Sequence, residues 1–123
     1  KHREGLILGS ACEAGELFRA MIQNAPWEKL LEIASYYDYL EIQPICNNRF
    51  LVAEGKVQDE EVLRDINRRI CKLGEKLGKP VCATCDAHFV NKEDEVYRRI
   101  LLAGMKFKDA DKDNPLFTLV VED

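Results

Sequence analysis

The stretch from Asp59 to Pro80 constrains this chain more than any other. Val62, Leu63, Ile66, Ile70, Leu73 and Leu77 recur at helical spacing, and charged residues fill the opposite face. Asp59 stands where an N-cap is wanted, and Gly78-Lys79-Pro80 stops the pattern. The spacing predicts a helix over about Glu60 to Leu77, with Glu60–Arg64 and Asp65–Arg69 as exposed pairs one turn apart. So long a one-faced helix must bury that face against something. The surrounding sequence offers short apolar runs: Leu6-Ile7-Leu8 before Gly9-Ser10, Tyr39-Leu40-Glu41-Ile42 before Pro44, and Val81 to Thr84 after Pro80. Each has the length of a buried strand.

More helices separate these runs. Leu17, Phe18, Met21 and Ile22 give helical spacing between Glu13 and Ile22. Asn24-Ala25-Pro26 restarts a helix with Pro26 in its first turn, and Trp27, Leu30, Leu31, Ile33 and Ala34 form its apolar face. Asn47-Asn48-Arg49-Phe50 opens a polar loop that continues through Gly55. Asn91, with Asp94 three residues on, reads as a capping box for a last helix that carries Val96, Tyr97, Ile100 and Leu101 and ends near Gly104. Residues 106–123 read as an exposed tail, charged from Lys106 to Asn114, with Phe117 to Val121 as a last short strand. The order strand, helix, helix, strand, helix, strand, helix indicates an α/β fold with mostly parallel strands and flanking helices. With three or four strands it suits a sector of a larger closed barrel.

The 123 residues allow one domain with a real core. A net charge of −4 excludes a global basic footprint for nucleic acid and leaves room only for a local patch. Lys92, Arg98, Arg99, Lys106 and Lys108 are such a group, read either as a phosphate contact or as a solvated helix face. No apolar run approaches the roughly 18 residues needed to cross a bilayer. The chain begins at Lys1 rather than Met, and Lys1-His2-Arg3-Glu4 leads into no signal-peptide core, so a piece of a longer protein is expected. Five cysteines without a secretion signal read as reduced cytosolic thiols, which places the chain in the cytoplasm. Cys82-Ala83-Thr84-Cys85 is formally a CxxC, but it lies in a strand rather than at the start of a helix, and no second pair completes a zinc knuckle.

In parallel α/β sheets chemistry gathers beyond the carboxyl ends of the strands. The first run delivers Ser10 and Cys12 there, the second Glu41 and Gln43, the third Asp86 and His88, with Cys85 read as a small strand-end residue. Asp86-Ala87-His88 is the sharpest local signal. In extended backbone its Asp and His face the same way and read as a pair of metal ligands; the other reading is an Asp capping the following turn beside a half-buried His. Cys12 is either a small buried thiol or a thiolate ligand favoured by a helix N-terminus. Glu41, in an apolar strand, is either a site residue or paired with a base such as Arg49. Gly9 and Gly15 read as backbone requirements, since no phosphate-cradling motif is present.

Several runs together carry a family resemblance. Arg3-Glu4-Gly5-Leu6-Ile7-Leu8-Gly9-Ser10-Ala11-Cys12-Glu13-Ala14-Gly15-Glu16-Leu17-Phe18, Tyr37-Asp38-Tyr39-Leu40-Glu41-Ile42-Gln43-Pro44, Asn47-Asn48-Arg49-Phe50, Leu73-Gly74-Glu75-Lys76-Leu77-Gly78-Lys79-Pro80-Val81 and Ala83-Thr84-Cys85-Asp86-Ala87-His88-Phe89 resemble the PHP (polymerase and histidinol phosphatase) domain of PolC-type DNA polymerase III, the replicative alpha subunit of low-GC Gram-positive bacteria. The resemblance covers about residues 1–117. It implies a sector of a distorted seven-stranded (β/α) barrel, the C-terminal part of a PHP domain after an inserted 3′–5′ exonuclease. It implies Cys12, Asp86 and His88 as ligands of a divalent cluster, zinc or manganese, of up to three ions. Glu41, Ser10 and Cys85 would line the site. The remaining ligands would lie before Lys1, so the piece alone would form an incomplete cluster.

The implied partners are the rest of the polymerase chain, with its N-terminal PHP part, exonuclease and palm domains, and DNA and the replisome through that parent; no membrane is implied. The parent would add deoxynucleotides with magnesium in the palm, and this piece would be inactive alone and support the assembly structurally. Two departures stand out: Cys85 replaces a usual Gly, and Thr118 to Asp123 leave the family pattern. The rival readings are a stand-alone PHP-type metal-dependent phosphoesterase and a non-catalytic interaction module.

Overall fold

The computed structural model describes residues 2–105, so the expected tail at 106–123, the strand at Phe117 to Val121, and Lys106 and Lys108 lie outside the described residues. The described chain is a mixed α/β unit. Helices α1 (Glu16–Ile22) and α2 (Trp27–Ser35) precede strand β1 (Leu40–Ile42). A 3₁₀ turn at Ile45–Asn48 runs into a short helix α3 (Arg49–Ala53), followed by the long helix α4 (Glu60–Leu77) and strand β2 (Val81–Ala83). A second 3₁₀ turn, Lys92–Asp94, opens α5 (Glu95–Gly104). β1 and β2 pair in parallel, with Leu40 opposite Val81, Glu41 opposite Cys82 and Ile42 opposite Ala83.

α4 has the expected bounds, and its ends show why. Asp59 accepts a hydrogen bond from the Val62 amide at 3.1 Å, satisfying one of the amides a helix start leaves orphaned. Gly78 ends the helix at φ 63°, a left-handed conformation that costs a residue with a Cβ. Leu63, Ile66, Ile70 and Leu73 of α4 join Leu17, Phe18 and Met21 of α1, Leu30, Ile33 and Ala34 of α2, and Leu40 of β1 in one buried cluster. Of the two expected surface pairs, Glu60–Arg64 forms at 3.3 Å. Asp65–Arg69 does not; Glu61 instead gathers Arg64 and Arg68, which hold its carboxyl below the usual range.

The first expected strand is corrected. Leu6-Ile7-Leu8 makes no strand, and Leu6 and Ile7 are 58% and 80% exposed rather than buried. Its contact with the sheet is a single parallel bridge, Gly9 to Tyr39. Asp38 does the holding: its carboxylate accepts from the Leu8 amide at 2.7 Å and from the Arg3 guanidinium at 2.9 Å, while Arg3 lies 4.9 Å over the Tyr36 ring. A second correction concerns residues 47–55. The expected polar loop is a 3₁₀ turn and a helix, with Asn47, Asn48 and Leu51 buried. A third concerns β2, which stops at Ala83, with Cys82 exposed instead of in the core. Pro26 is the N-cap of α2 rather than a residue of its first turn. The capping box of Asn91 and Asp94 is present, but Val96, Tyr97, Ile100 and Leu101 of α5 stay exposed.

Two close approaches generate tests. A Cβ on Gly74 would sit 2.4 Å from Val81 Cγ2 and 3.0 Å from the Lys79 carbonyl, so the glycine lets β2 lie directly on α4. Gly74→Ala is expected to lower stability by about 1–3 kcal/mol despite better helix propensity; a denaturant midpoint at or above wild type would refute the close-approach argument. Lys79 Nζ donates to the carbonyls of Ala34, Ser35 and Tyr37. Lys79→Met, which keeps the stem and removes the donors, is expected to cost about 1–3 kcal/mol in the same measurement.

Candidate functional site

Because the bridge at Gly9 and both strands run parallel, the segments after them leave the sheet at the same end. Ser10 follows the bridge, Gln43 follows β1, and Thr84 to His88 follow β2. A lateral run of hydrogen bonds joins these segments. The buried Ser10 hydroxyl oxygen accepts from the Glu41 amide at 2.9 Å. The Thr84 hydroxyl donates to Glu41 Oε1 at 2.6 Å. Glu41 is therefore bonded to a hydroxyl on the neighbouring segment, not to Arg49, whose guanidinium is held by Glu60 at 2.8 Å.

The Asp86–His88 pair comes together by a turn, not by the pleat of a strand. Asp86 is left-handed at φ 51°. The turn sets His88 Nδ1 2.6 Å from the Asp86 carbonyl oxygen and 3.8 Å from its Oδ1. A carbonyl only accepts, so Nδ1 carries the proton and donates; the Nε2 lone pair then faces away from that bond. A backbone carbonyl fixing the second ring nitrogen is the arrangement that orients a metal-binding imidazole. Ala11, between Ser10 and Cys12, is also left-handed, at φ 60°. Two non-glycine residues thus hold this costly conformation at one end of the sheet, where strain tends to collect around functional positions.

Cys12 departs from the expectation of a favoured thiolate. α1 starts at Glu16, so the thiol lies ahead of the helix N-terminus rather than on it. Burial pushes its pKa up, and only in part do backbone hydrogen bonds, first that from Ala14, oppose this. Among the described residues no group of three or more His, Cys, Asp or Glu side chains is placed to hold a metal ion. Asp86 and His88 offer two donors side by side, whereas a closed zinc site takes four. The described residues do not complete a metal centre by themselves.

The CxxC gives no disulfide. The Thr84 amide donates to the Ile42 carbonyl at 3.0 Å, so the backbone stays extended past β2. Three extended steps separate Cys82 and Cys85 by about 10 Å and put them on opposite faces, beyond the roughly 7 Å that a disulfide tolerates between Cα atoms. Cys85 matters through its backbone instead. Asn47, buried in the first 3₁₀ turn, donates from Nδ2 to the Cys85 carbonyl at 2.9 Å and so anchors the segment that carries Asp86 and His88. Sequence reasoning missed Asn47 as a positioning residue. Its partner lies 38 positions away, and the only local signal was a pair of asparagines in an apparently polar stretch.

Comparison with known proteins places this arrangement in a longer context. The chain is 56% identical over 117 residues, 95% of its length, to a protein named DNA polymerase III PolC-type from Clostridium perfringens, of which it covers 8%. It is 53% identical over all 123 residues to a protein of the same name from Caldanaerobacter subterraneus subsp. tengcongensis, covering 9% of it. Against the Bacillus subtilis protein of that name the identity is 52% over 104 residues, 85% of this chain and 7% of the relative. The chain thus spans less than a tenth of the length of these curated relatives. No protein-family model matches it, and no solved structure matches it. Among the described residues no helix is long and apolar enough to cross a membrane.

Asn47→Ala tests the anchor. It removes the donor to Cys85 and is expected to speed amide exchange across residues 84–90 by roughly tenfold or more while α4 keeps its protection. Unchanged exchange in residues 84–90 would show that the segment is held by something else.

Proposed function

We propose that this chain is a segment of a PolC-type DNA polymerase III and serves DNA replication as part of that larger enzyme. One observation carries the reading: identity of 53–56% to proteins of that name runs over 95–100% of this chain, yet covers only 8–9% of theirs. Within the parent, we assign the segment to the C-terminal part of a PHP domain, a sector of its distorted barrel. The parallel strands, the helices beside them and the Asp86-Ala87-His88 turn at the carboxyl end of β2 support that assignment. The relatives carry a polymerase name at 40–56% identity, which favours this reading over a stand-alone phosphoesterase.

The parent's activity would be templated addition of deoxynucleotides with 3′–5′ proofreading, carried by palm and exonuclease domains on other parts of the polypeptide, with magnesium in the palm and with DNA and the replisome as partners in the cytoplasm. The segment's own part is structural. It sets Ser10, Cys12, Glu41, Asp86 and His88 along one end of a sheet, with Ser10 and Glu41 bonded to each other and His88 oriented by the Asp86 carbonyl. Asp86, His88 and Cys12 are the residues that would hold zinc or manganese there, with further donors from the parent. Such an ion supplies Lewis-acid chemistry or a structural tie when bound.

Full-length protein containing this segment, supplied with primed template, deoxynucleotides and magnesium, is expected to extend the primer; absence of extension by folded protein would overturn the reading. For the ligand assignment, zinc and manganese are measured in full-length wild type and in Asp86→Ala and His88→Ala variants. Lower metal content is expected in both variants, and content equal to wild type in both would sink the assignment.

A further inference from the structure

Glu41 is a carboxylate in the middle of a strand whose other members, Leu40 and Ile42, are apolar. It stands opposite Cys82 of β2, and Thr84, two residues further on, faces the same way as Cys82. That face lies away from α4, since Val81, which packs on Gly74, belongs to the opposite one. Glu41 is half-buried there, and among the described residues its carboxylate is met by no cation but by the Thr84 hydroxyl at 2.6 Å. An apolar side chain would hold two strands together without the cost of taking a carboxylate partly out of water. What the carboxylate adds is direction: its oxygen fixes where the Thr84 hydroxyl stands, and with it the backbone leaving β2. The Thr84 amide is held by the same strand, through the Ile42 carbonyl at 3.0 Å.

The two bonds of Glu41 reach the two segments that carry the candidate ligands. Its amide donates to the hydroxyl of Ser10, two positions before Cys12, and its carboxylate accepts from Thr84, two positions before Asp86. Each segment then turns at a left-handed residue, Ala11 in one and Asp86 in the other. At most one residue separates each bond from its turn, so the position set at Glu41 passes directly to the side chains beyond. We propose that Glu41 is a positioning residue of the metal site and not one of its ligands: gripped by Thr84, it holds the Cys12 and Asp86–His88 segments in register across β1, a role that rests on reading Cys12, Asp86 and His88 as the ligands. Substitutions separate the two roles. Glutamine keeps an oxygen that accepts from Thr84 but gives a metal no anionic donor, whereas leucine keeps the bulk and accepts nothing. At position 84, serine keeps the hydroxyl and valine keeps the shape without it.

The test is the zinc affinity of the full-length polymerase, stripped of metal and titrated with zinc alone against a chromogenic chelator, with amide exchange of α4 as the check on folding. Glu41→Leu and Thr84→Val are expected to bind zinc roughly tenfold or more weakly than wild type while α4 keeps its protection. Glu41→Gln and Thr84→Ser are expected to stay within about threefold of wild type. Glu41→Gln as weak as Glu41→Leu would make Glu41 a ligand and overturn the proposal. Thr84→Val within about threefold of wild type would show that the bond positions nothing and overturn it too. Failure of the ligand reading looks different: Asp86→Ala and His88→Ala would then bind zinc as wild type does, and the proposal would fall with that reading. If those two variants lose zinc and Thr84→Val does not, the positioning role alone is overturned.

Discussion

The ammonium of Lys79 is the contact on which the rest of the described fold depends. α2 ends at Tyr36 without a left-handed residue to turn its last carbonyls toward donors, and helix C-termini leave such carbonyls unpaired and partly negative. Lys79 reaches across from the turn after α4 and donates to two of them, those of Ala34 and Ser35, and to the Tyr37 carbonyl just past the cap. The residues beside it work in sequence. Gly78 closes α4, Lys79 closes α2, and the Pro80 carbonyl accepts from the Leu40 amide at 2.9 Å, which starts the pairing of β1 with β2. Three consecutive residues thus fix where two helices end and where the sheet begins. That places Val81 over Gly74 and sends the backbone after β2 toward the Asp86–His88 turn.

What was legible in the sequence follows from how local its causes are. α4 could be read because its apolar period, its Asp59 cap and its Gly78 stop all lie within the helix and one residue of it. The Asn91–Asp94 capping box was legible for the same reason. Leu6-Ile7-Leu8 was not, because three apolar residues specify a strand only when a neighbour covers them, and here Asp38 holds the segment through its backbone while Leu6 and Ile7 face outward. The burial of Asn47 and Asn48 was hidden by composition. Polar side chains read as surface until a long-range partner is known, and the partner of Asn47 is a carbonyl on the far side of α4 in sequence.

The candidate site shows the same division. The pairing of Asp86 with His88 was readable as residue types at a strand end, although the geometry that brings them together is a left-handed turn. That Glu41 answers to Thr84 and Ser10 rather than to Arg49 depends on the β1–β2 register, which no short-range pattern carries. Residue types at the carboxyl end of a strand survive errors in the predicted backbone, because the parallel topology alone delivers them to one end of the sheet. Partners do not survive such errors, because a shift of one position turns every side chain of a strand to the other face.

Stability and site chemistry are carried by different parts of the described chain. The buried cluster is built from α1, α2, β1, α3, α4 and Val57 of the α3–α4 loop, and none of its buried members lies beyond Leu73. Asp86 and His88 have half-exposed side chains on a segment fastened by backbone bonds, the Asn47 anchor and the Thr84 pairing. A truncation of either side chain leaves no buried polar atom and opens no cavity, the two routes by which single substitutions usually unfold a protein. Metal content lost from such a variant therefore reports on coordination and not on collapse of the fold. The same separation shows in where the residues lie: the buried members of the apolar cluster fall between Leu17 and Leu73, whereas Asp86 and His88 follow β2 at the carboxyl end of the sheet.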